Sequence, residues 1–340
     1  MEKVVHKNGN KSYCPLLDVT KFIFSLVIVV YHYNYFVLNW QNEKMFGGGY
    51  LGVEVFFVIS GYLLGKSICK QQKIEVIPLT VNKAKKVWFP YVIALTTLFI
   101  ALFRTCTDLI GLIFQFIKEL LMVQEIIPFY TNNEINGPTW YISAMLVATA
   151  IIVGIKKLLP KAGDIAITAL SLFCFLVMAV LCGDLHTHGV LIVVPKGVIR
   201  ALASMGLGYI LARVDLRVNK TLSAFLWMIS IGLSLMVCWI ARDSLIDYLM
   251  IPCALGIVAF GASFSSENRA ALIRWSKILG KLSLYIYLWH TLVRNILSRI
   301  LESYSLGIYL DITIILAIFL FWVDKKLVKR MMAKQNFIGC

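Results

Sequence analysis

Charged residues are scarce in this 340-residue chain, at 15% of the sequence, and the acidic ones are scarcer, with 18 Asp plus Glu against 33 Lys plus Arg. Soluble domains carry about 25% charged residues, so the composition excludes an ordinary water-soluble protein. Hydrophobic residues make up 59% of the chain, and its mean hydropathy is +0.80. Linkers, low-complexity segments and internal repeats are also lacking. We therefore predict a single transmembrane domain over residues 1–340, without an appended soluble domain.

Several catalytic signatures are missing as well. The chain has no GxSxG elbow, no HExxH zinc motif, no P-loop and no His-x4-Asp motif. These absences argue against an α/β-hydrolase, a zinc protease, a P-loop nucleoside triphosphatase and a glycerolipid acyltransferase of the soluble-domain type. The eight cysteines are scattered without close pairing, so we expect neither a disulfide framework nor a metal or redox site.

Apolar runs fill most of the chain, and ten of them approach the roughly 17 to 25 residues that a membrane-spanning helix requires. They cover residues 16–38, 49–68, 87–103, 139–155, 165–182, 195–212, 221–240, 246–263, 279–300 and 306–323. A further run at 109–124 is short and contains polar residues, which suits an amphipathic or re-entrant helix. The predicted fold is an all-α integral membrane protein with about ten transmembrane helices plus that one.

The distribution of Lys and Arg predicts the orientation, because these residues gather on the cytoplasmic side of a membrane protein. With the N-terminus inside, 25 of the 33 Lys plus Arg lie in the inner segments. Both termini are then cytoplasmic, in a multi-pass protein of the cytoplasmic membrane. The first apolar run leads directly into further spans, so we expect no cleavable signal peptide. The net charge of +15 follows from the same bias, and we expect no nucleic-acid partner.

Ionisable residues inside the apolar runs point to a functional site. Lys21 and His32 lie in the first run, Glu54 in the second and His290 in the ninth. Such groups cost several kcal/mol in lipid and usually face a protein interior or a watery cavity. In a helix, Lys21 and His32 lie on one face, about 16 Å apart. We expect Glu54 to pair with His32 and orient it as a base. Alternatively, Lys21 only extends to the lipid headgroups, and His32 is a histidine that packs in the protein interior. A Glu54–His32 ion pair could likewise serve only to join the two helices.

The ninth run carries a second polar stripe, since Ser283, Tyr287, His290 and Arg294 recur at helical spacing. Two stripes of this kind suggest one shared polar site between helices.

Four sequence blocks resemble the membrane-bound acyltransferase family 3, whose members O-acylate bacterial surface sugars and related acceptors. LLDVTKFIFSLVIVVYH is similar to the opening family helix, with Lys21 in place of its arginine and His32 as its histidine. GGGYLGVEVFFVISGYLL resembles the most specific family signature, with Glu54 as its acidic member. KAKKVWFPY resembles the paired arginines of the third helix, with Lys83 and Lys86 in the arginine places.

The late block GKLSLYIYLWH resembles a family helix that ends in Tyr-Leu-x-His, and PTWYISAML is a looser match to the tryptophan helix. The resemblance implies an O-acetyltransferase that takes acyl groups from cytoplasmic acetyl-CoA to a carbohydrate or lipid-linked glycan, without a metal. His32, oriented by Glu54, would be the general base or carry the acyl group, and His290 would polarise the carbonyl or bind the acceptor. The other implied positions are donor-binding Lys21, Lys83, Lys85 and Lys86 and substrate-binding Tyr287, Trp140 and Ser60.

Two other functions remain open. Intramembrane His, Glu and Lys also suit a transporter or flippase that moves a polysaccharide or lipid-linked sugar through the same cavity without chemistry. His186 and His188 share a loop with Asp184 and could bind a metal, although two histidines in a loop are more often solvated residues.

Overall fold

The computed structural model describes residues 13–38, 45–103, 106–126, 134–186, 189–191, 194–216, 218–264 and 269–338. Over these residues the chain forms α-helices almost throughout. The helices are α1 (Pro15–Phe36), α2 (Gly52–Ile68), α3 (Val76–Phe103), α4 (Leu109–Leu120), α5 (Trp140–Leu158), α6 (Gly163–Leu181), α7 (Lys196–Leu211), α8 (Lys220–Ile240), α9 (Met250–Ser263), α10 (Ala270–Ile300) and α11 (Leu306–Ile338). A helix satisfies its own backbone hydrogen bonds, which lipid cannot do, so this architecture is the one that the apolar composition requires.

Eight segments within the described residues are long and apolar enough to cross a membrane. The expected spans at 195–212 and 279–300 are also helical, as α7 and part of α10. However, α7 has only 16 residues, and α10 carries several Lys and Arg, among them Arg294 and Arg299. The all-α membrane class is confirmed, while the number of ten spans and the cytoplasmic termini stay predictions.

Helix α4 is short and amphipathic, as the sequence predicts. Its 12 residues extend only about 18 Å, too little to cross a bilayer. Its polar face points inward, because Gln115, Lys118 and Glu119 are buried while Ile113 and Ile117 are exposed. Such an inverted pattern fits a helix between lipid and a polar interior.

The centre of the bundle is the crossing of α2 and α7, where glycines permit close approach of the two backbones. A Cβ atom on Gly61 would collide with the Met205 carbonyl, and one on Gly208 would collide with the Val58 carbonyl. Helix α1 packs against α2 and α10, and α5 and α9 also contact α2. The two helices that carry the sequence-predicted histidines, α1 and α10, are therefore neighbours.

A two-stranded antiparallel hairpin precedes α7, which the sequence did not lead us to expect. Strand β1 (Val190–Leu191) pairs with β2 (Val194–Pro195). The polyproline-like backbone of Pro195 then leads directly into the first turn of α7.

Candidate active site

A cavity of about 510 Å³ lies between α1, α10 and the segments that precede α5 and α7. Its volume falls in the range of small-molecule sites, about 300 to 1,000 Å³. Imidazole, phenol, carboxyl and guanidinium groups share its wall. The ionisable and aromatic residues that line it are Tyr31, His32, Tyr35, Phe36, Tyr50, Glu125, Glu134, Trp140, His186, Arg200, Tyr287, His290 and Arg294.

His32 and His290 form a hydrogen-bonded pair in this cavity. The His32 Nδ1 and His290 Nε2 atoms are 2.7 Å apart, and the two rings are nearly parallel, with an interplanar angle of 6°. His290 is buried, with 1% of its surface exposed. The sequence placed both histidines in apolar helices, and the packing of α1 on α10 brings them together.

The hydrogen bonds of this pair define which nitrogen of His32 is basic. His290 Nδ1 lies 3.2 Å from the Ile286 carbonyl oxygen, and a carbonyl only accepts, so Nδ1 carries the proton. In the neutral ring His290 Nε2 is then an acceptor, and His32 Nδ1–H donates a hydrogen bond to it. The other ring nitrogen of His32, Nε2, is then the unprotonated one in the neutral ring. This arrangement fixes one tautomer of His32 as a proton acceptor.

Glu54 does not pair with His32, and our expectation on this point was wrong. Its carboxylate is fully buried and accepts hydrogen bonds from Arg200 Nε and Ser204 Oγ. Arg200 is itself 1% exposed. A buried carboxylate is most strongly stabilised by a cation, and α7 supplies one where α2 crosses it. Glu54 therefore joins α2 to α7.

Arg200 is a cavity residue that the sequence analysis overlooked. Besides Glu54, its Nη2 donates to the Tyr50 carbonyl at 3.0 Å. Its guanidinium lies over the rings of Trp140, at 5.4 Å, and Tyr50, at 5.9 Å. The signal was available, since Arg200 is a charged residue inside the apolar run 195–212. The same rule that selected Lys21 and His32 should have selected it.

A second chain of hydrogen bonds runs along the cavity wall beside His32. His186 Nδ1 lies 2.9 Å from Asp243 Oδ1, and its Nε2 lies 3.0 Å from the Tyr31 hydroxyl. Tyr50 stacks on the His186 ring, with the ring centres 4.7 Å apart. Both ring nitrogens of His186 therefore have protein partners. Its companion in the metal alternative, His188, lies outside the described residues, within which there is no metal-binding cluster of three or more His, Cys, Asp or Glu.

Two carboxyl groups from the segment between α4 and α5 line the cavity, and Glu119, near the end of α4, binds the backbone of that segment. Glu119 accepts hydrogen bonds from the backbone N–H groups of Ile135, at 2.9 Å, and Asn136, at 3.1 Å. Burial raises the pKa of Glu119 to about 7, although these bonds act to lower it. Glu125 and Glu134 line the cavity directly. Burial also raises the pKa of Glu125 to about 7.

The three residues predicted to bind substrate have different positions. Tyr287 and Trp140 line the cavity, and the Tyr287 hydroxyl donates to the Pro138 carbonyl. Ser60 is not among the lining residues. It lies within the bundle, where its Oγ is 3.1 Å from the Tyr141 hydroxyl. The roles of all three stay predictions.

The predicted donor-binding lysines also lie away from the cavity wall. Lys83 Nζ donates to the Ser60 carbonyl at 3.3 Å, and Lys21 pairs with Asp18 at 2.8 Å. Lys85 and Lys86 are exposed. Lys21 and Lys86 are nevertheless close enough to Lys83 for their charges to interact with it. Three of the four lysines therefore share one positively charged region.

Comparison with known proteins identifies the family of this chain. A family model described as "Acyltransferase domain" matches residues 15–323, which is most of the chain. The chain belongs to this acyltransferase family 3. Because the match covers most of the chain, it confirms the family assignment that the sequence blocks suggested.

A shorter match links this acyltransferase family member to a curated protein of Bacillus subtilis (strain 168). That protein is described as "Putative peptidoglycan O-acetyltransferase YrhL". The two are 41% identical over 59 residues, which is 17% of this chain and 8% of the relative. No solved structure matches the chain.

Proposed function

We propose that this protein is a membrane O-acyltransferase that uses cytoplasmic acyl-CoA as its donor. It transfers an acyl group, with acetyl the preferred assignment, to a hydroxyl of a carbohydrate on the outer side of the membrane. The observation that carries the proposal is the His32–His290 pair in the cavity of an acyltransferase family member. The description of the Bacillus relative as a peptidoglycan O-acetyltransferase supports an acetyl group and a glycan acceptor.

The tautomer of His32 suits general-base catalysis. His32 Nε2 takes the proton of the acceptor hydroxyl as that oxygen attacks the thioester carbonyl. The ester C–O bond forms, the C–S bond breaks, and the proton passes from His32 to the departing thiolate of CoA. His290 stabilises the charged His32 ring through the bond at Nδ1. A positioned base of this kind contributes about 10²- to 10⁴-fold to the rate. If His32 carried the acyl group itself, the same nitrogen would be the nucleophile.

The donor is expected to bind from the lysine-rich side. Lys83, Lys86 and Lys21 offer point charges for the phosphates of CoA. In the N-terminus-inside orientation that the distribution of Lys and Arg predicts, this region faces the cytoplasm, where acyl-CoA is found. We therefore propose that the protein lies in the cytoplasmic membrane of a bacterium, with the histidine cavity nearer the outer surface.

The test is transfer of label from acetyl-labelled acetyl-CoA to endogenous glycan in membranes that contain the full chain. His32→Ala should abolish transfer because it removes the base, whereas Leu172→Ala, on the exposed side of α6, should leave it unchanged. Both variants are compared at equal protein levels.

Two outcomes would contradict the proposal. Label transfer that persists in His32→Ala would exclude His32 as the base. A parent protein that transfers no label while acceptor glycan is present would contradict the proposed acyltransferase activity. Transport of labelled glycan would then be measured.

A further inference from the structure

The cavity has a carboxylate that the transfer chemistry does not use. Glu125 lines the cavity, and only 8% of its surface is exposed. Among the residues that the structure describes, its Oε2 atom has no hydrogen-bond partner. An unsatisfied buried polar group costs about 1 to 3 kcal/mol, more when it is charged. A carboxyl group in a cavity wall whose hydrogen-bonding capacity the protein does not fill can accept a hydrogen bond from a bound ligand.

Contacts with α5 and α7 determine the position of Glu125. Its backbone N–H donates to Ser143 Oγ at 3.1 Å. Its Oε2 atom lies against Gly197, at the start of α7, where a Cβ atom would collide with it. The same Cβ would lie 2.9 Å from Trp140 Cε3. The free carboxylate oxygen and the indole ring are therefore adjacent, and any side chain at position 197 would fill the space between them.

Nearby charges do not supply the missing partner. Lys118 interacts with Glu125 electrostatically, but Oε2 accepts no hydrogen bond from it. Glu134, which also lines the cavity, adds a like charge that opposes ionisation of Glu125. With burial, this charge keeps the pKa of Glu125 near 7. A perturbed carboxyl group in a cavity is typical of functional sites.

We propose that Glu125 binds the acceptor sugar, with its carboxyl group accepting a hydrogen bond from a hydroxyl other than the one that is acylated, while the sugar ring packs on Trp140. A sugar offers both hydroxyl donors and an apolar C–H face, and these match a carboxylate beside an indole ring. Because His32 lies in the same cavity, two contacts with one sugar would fix which hydroxyl reaches the base. Glu125 is then the residue that selects the position of acylation. This assignment rests on the proposed function for the identity of the reacting hydroxyl.

The first experiment measures binding, which needs no turnover. The purified full-length protein is titrated with a peptidoglycan disaccharide fragment in the absence of acetyl-CoA. Glu125→Ala should weaken binding about tenfold, which corresponds to about 1.4 kcal/mol for the lost hydrogen bond. Gly197→Ala should also weaken it by displacing the carboxylate, without changing any ionisable group. Glu302→Gln, at an exposed position, is the matched control and should bind like the parent.

The second experiment adds acetyl-CoA and determines which hydroxyl is acetylated. Glu125→Ala should raise the acceptor KM and spread acetylation over more positions, while the KM for acetyl-CoA stays constant. Failure of the parent to bind the fragment, or equal binding by the parent, Glu125→Ala and Gly197→Ala, would overturn the assignment. Fragment binding that depends on Glu125 without any acetyl transfer would support the sugar site and reject the acyltransferase function instead.

Discussion

The buried carboxyl of Glu125 predicts an unusual dependence of stability on pH. Its pKa is raised by burial from an ordinary 4.5 to about 7. Below pH 4.5 the group is protonated in both the folded and the unfolded chain and has no effect. As the pH rises towards 7, the unfolded chain ionises first, so the free energy of unfolding falls. Above pH 7 the full loss is present, about 3 kcal/mol at about 1.4 kcal/mol per pKa unit.

Glu125→Gln removes this ionisation while keeping the shape of the side chain. We expect the variant to be more stable than the parent at pH 8, by up to about 3 kcal/mol, and equally stable at pH 4.5. The measurement is the thermal midpoint of the purified protein in detergent at the two pH values. Glu302→Gln, which replaces an exposed carboxylate, should show no comparable difference. A Glu125→Gln variant that is no more stable than the parent at pH 8 would refute the reasoning.

Three further predictions concern the base, the helix crossing and the donor. His290→Gln should retain more label transfer than His290→Ala, since an amide oxygen can still accept a hydrogen bond from His32 Nδ1–H. Equal loss of transfer in both variants would contradict the tautomer assignment. Gly61→Ala should lower the yield of folded protein by forcing α2 from α7, whereas Gly154→Ala, which has open space beside it, should not. Lys83→Ala should raise the KM for acetyl-CoA but not for an acetyl-pantetheine thioester without the nucleotide; an equal increase for both donors would exclude a phosphate-binding role.

Helical spacing let the sequence predict one face of the site. Tyr287, His290 and Arg294 recur every three or four residues, and all three line the cavity. Because successive turns of a helix place such residues on one side, the pattern determines the face before the partner helix is known. The ionisable character of His32 likewise predicted that it faces the interior, since lipid would not accommodate it.

Pairings between distant segments were beyond the sequence. Glu54 was expected beside His32 because a carboxylate can orient an imidazole, but this chemistry does not determine how each helix is rotated about its axis. The structure turns its carboxylate towards Arg200 on α7. Glu125 lies in a connecting segment, where no periodicity relates residue number to position in space. Its place in the cavity wall depends on contacts with Ser143 in α5 and Gly197 in α7, which no local pattern around Glu125 predicts.

The separation between the lysines and the histidines favours a donor whose charged groups are distant from its reacting carbon. Lys83, on α3, contacts the Ser60 carbonyl of α2. Val53, seven residues before Ser60 on α2, lines the histidine cavity. Seven residues of helix span about 10 Å, and Lys21 and His32 are separated by about 16 Å along α1. A donor that binds at the lysines must therefore place its reacting carbon far from its charges. Acyl-CoA is such a molecule, because the pantetheine arm separates its phosphates from the thioester, whereas in a compact donor such as acetyl phosphate the charge is next to the reacting carbon.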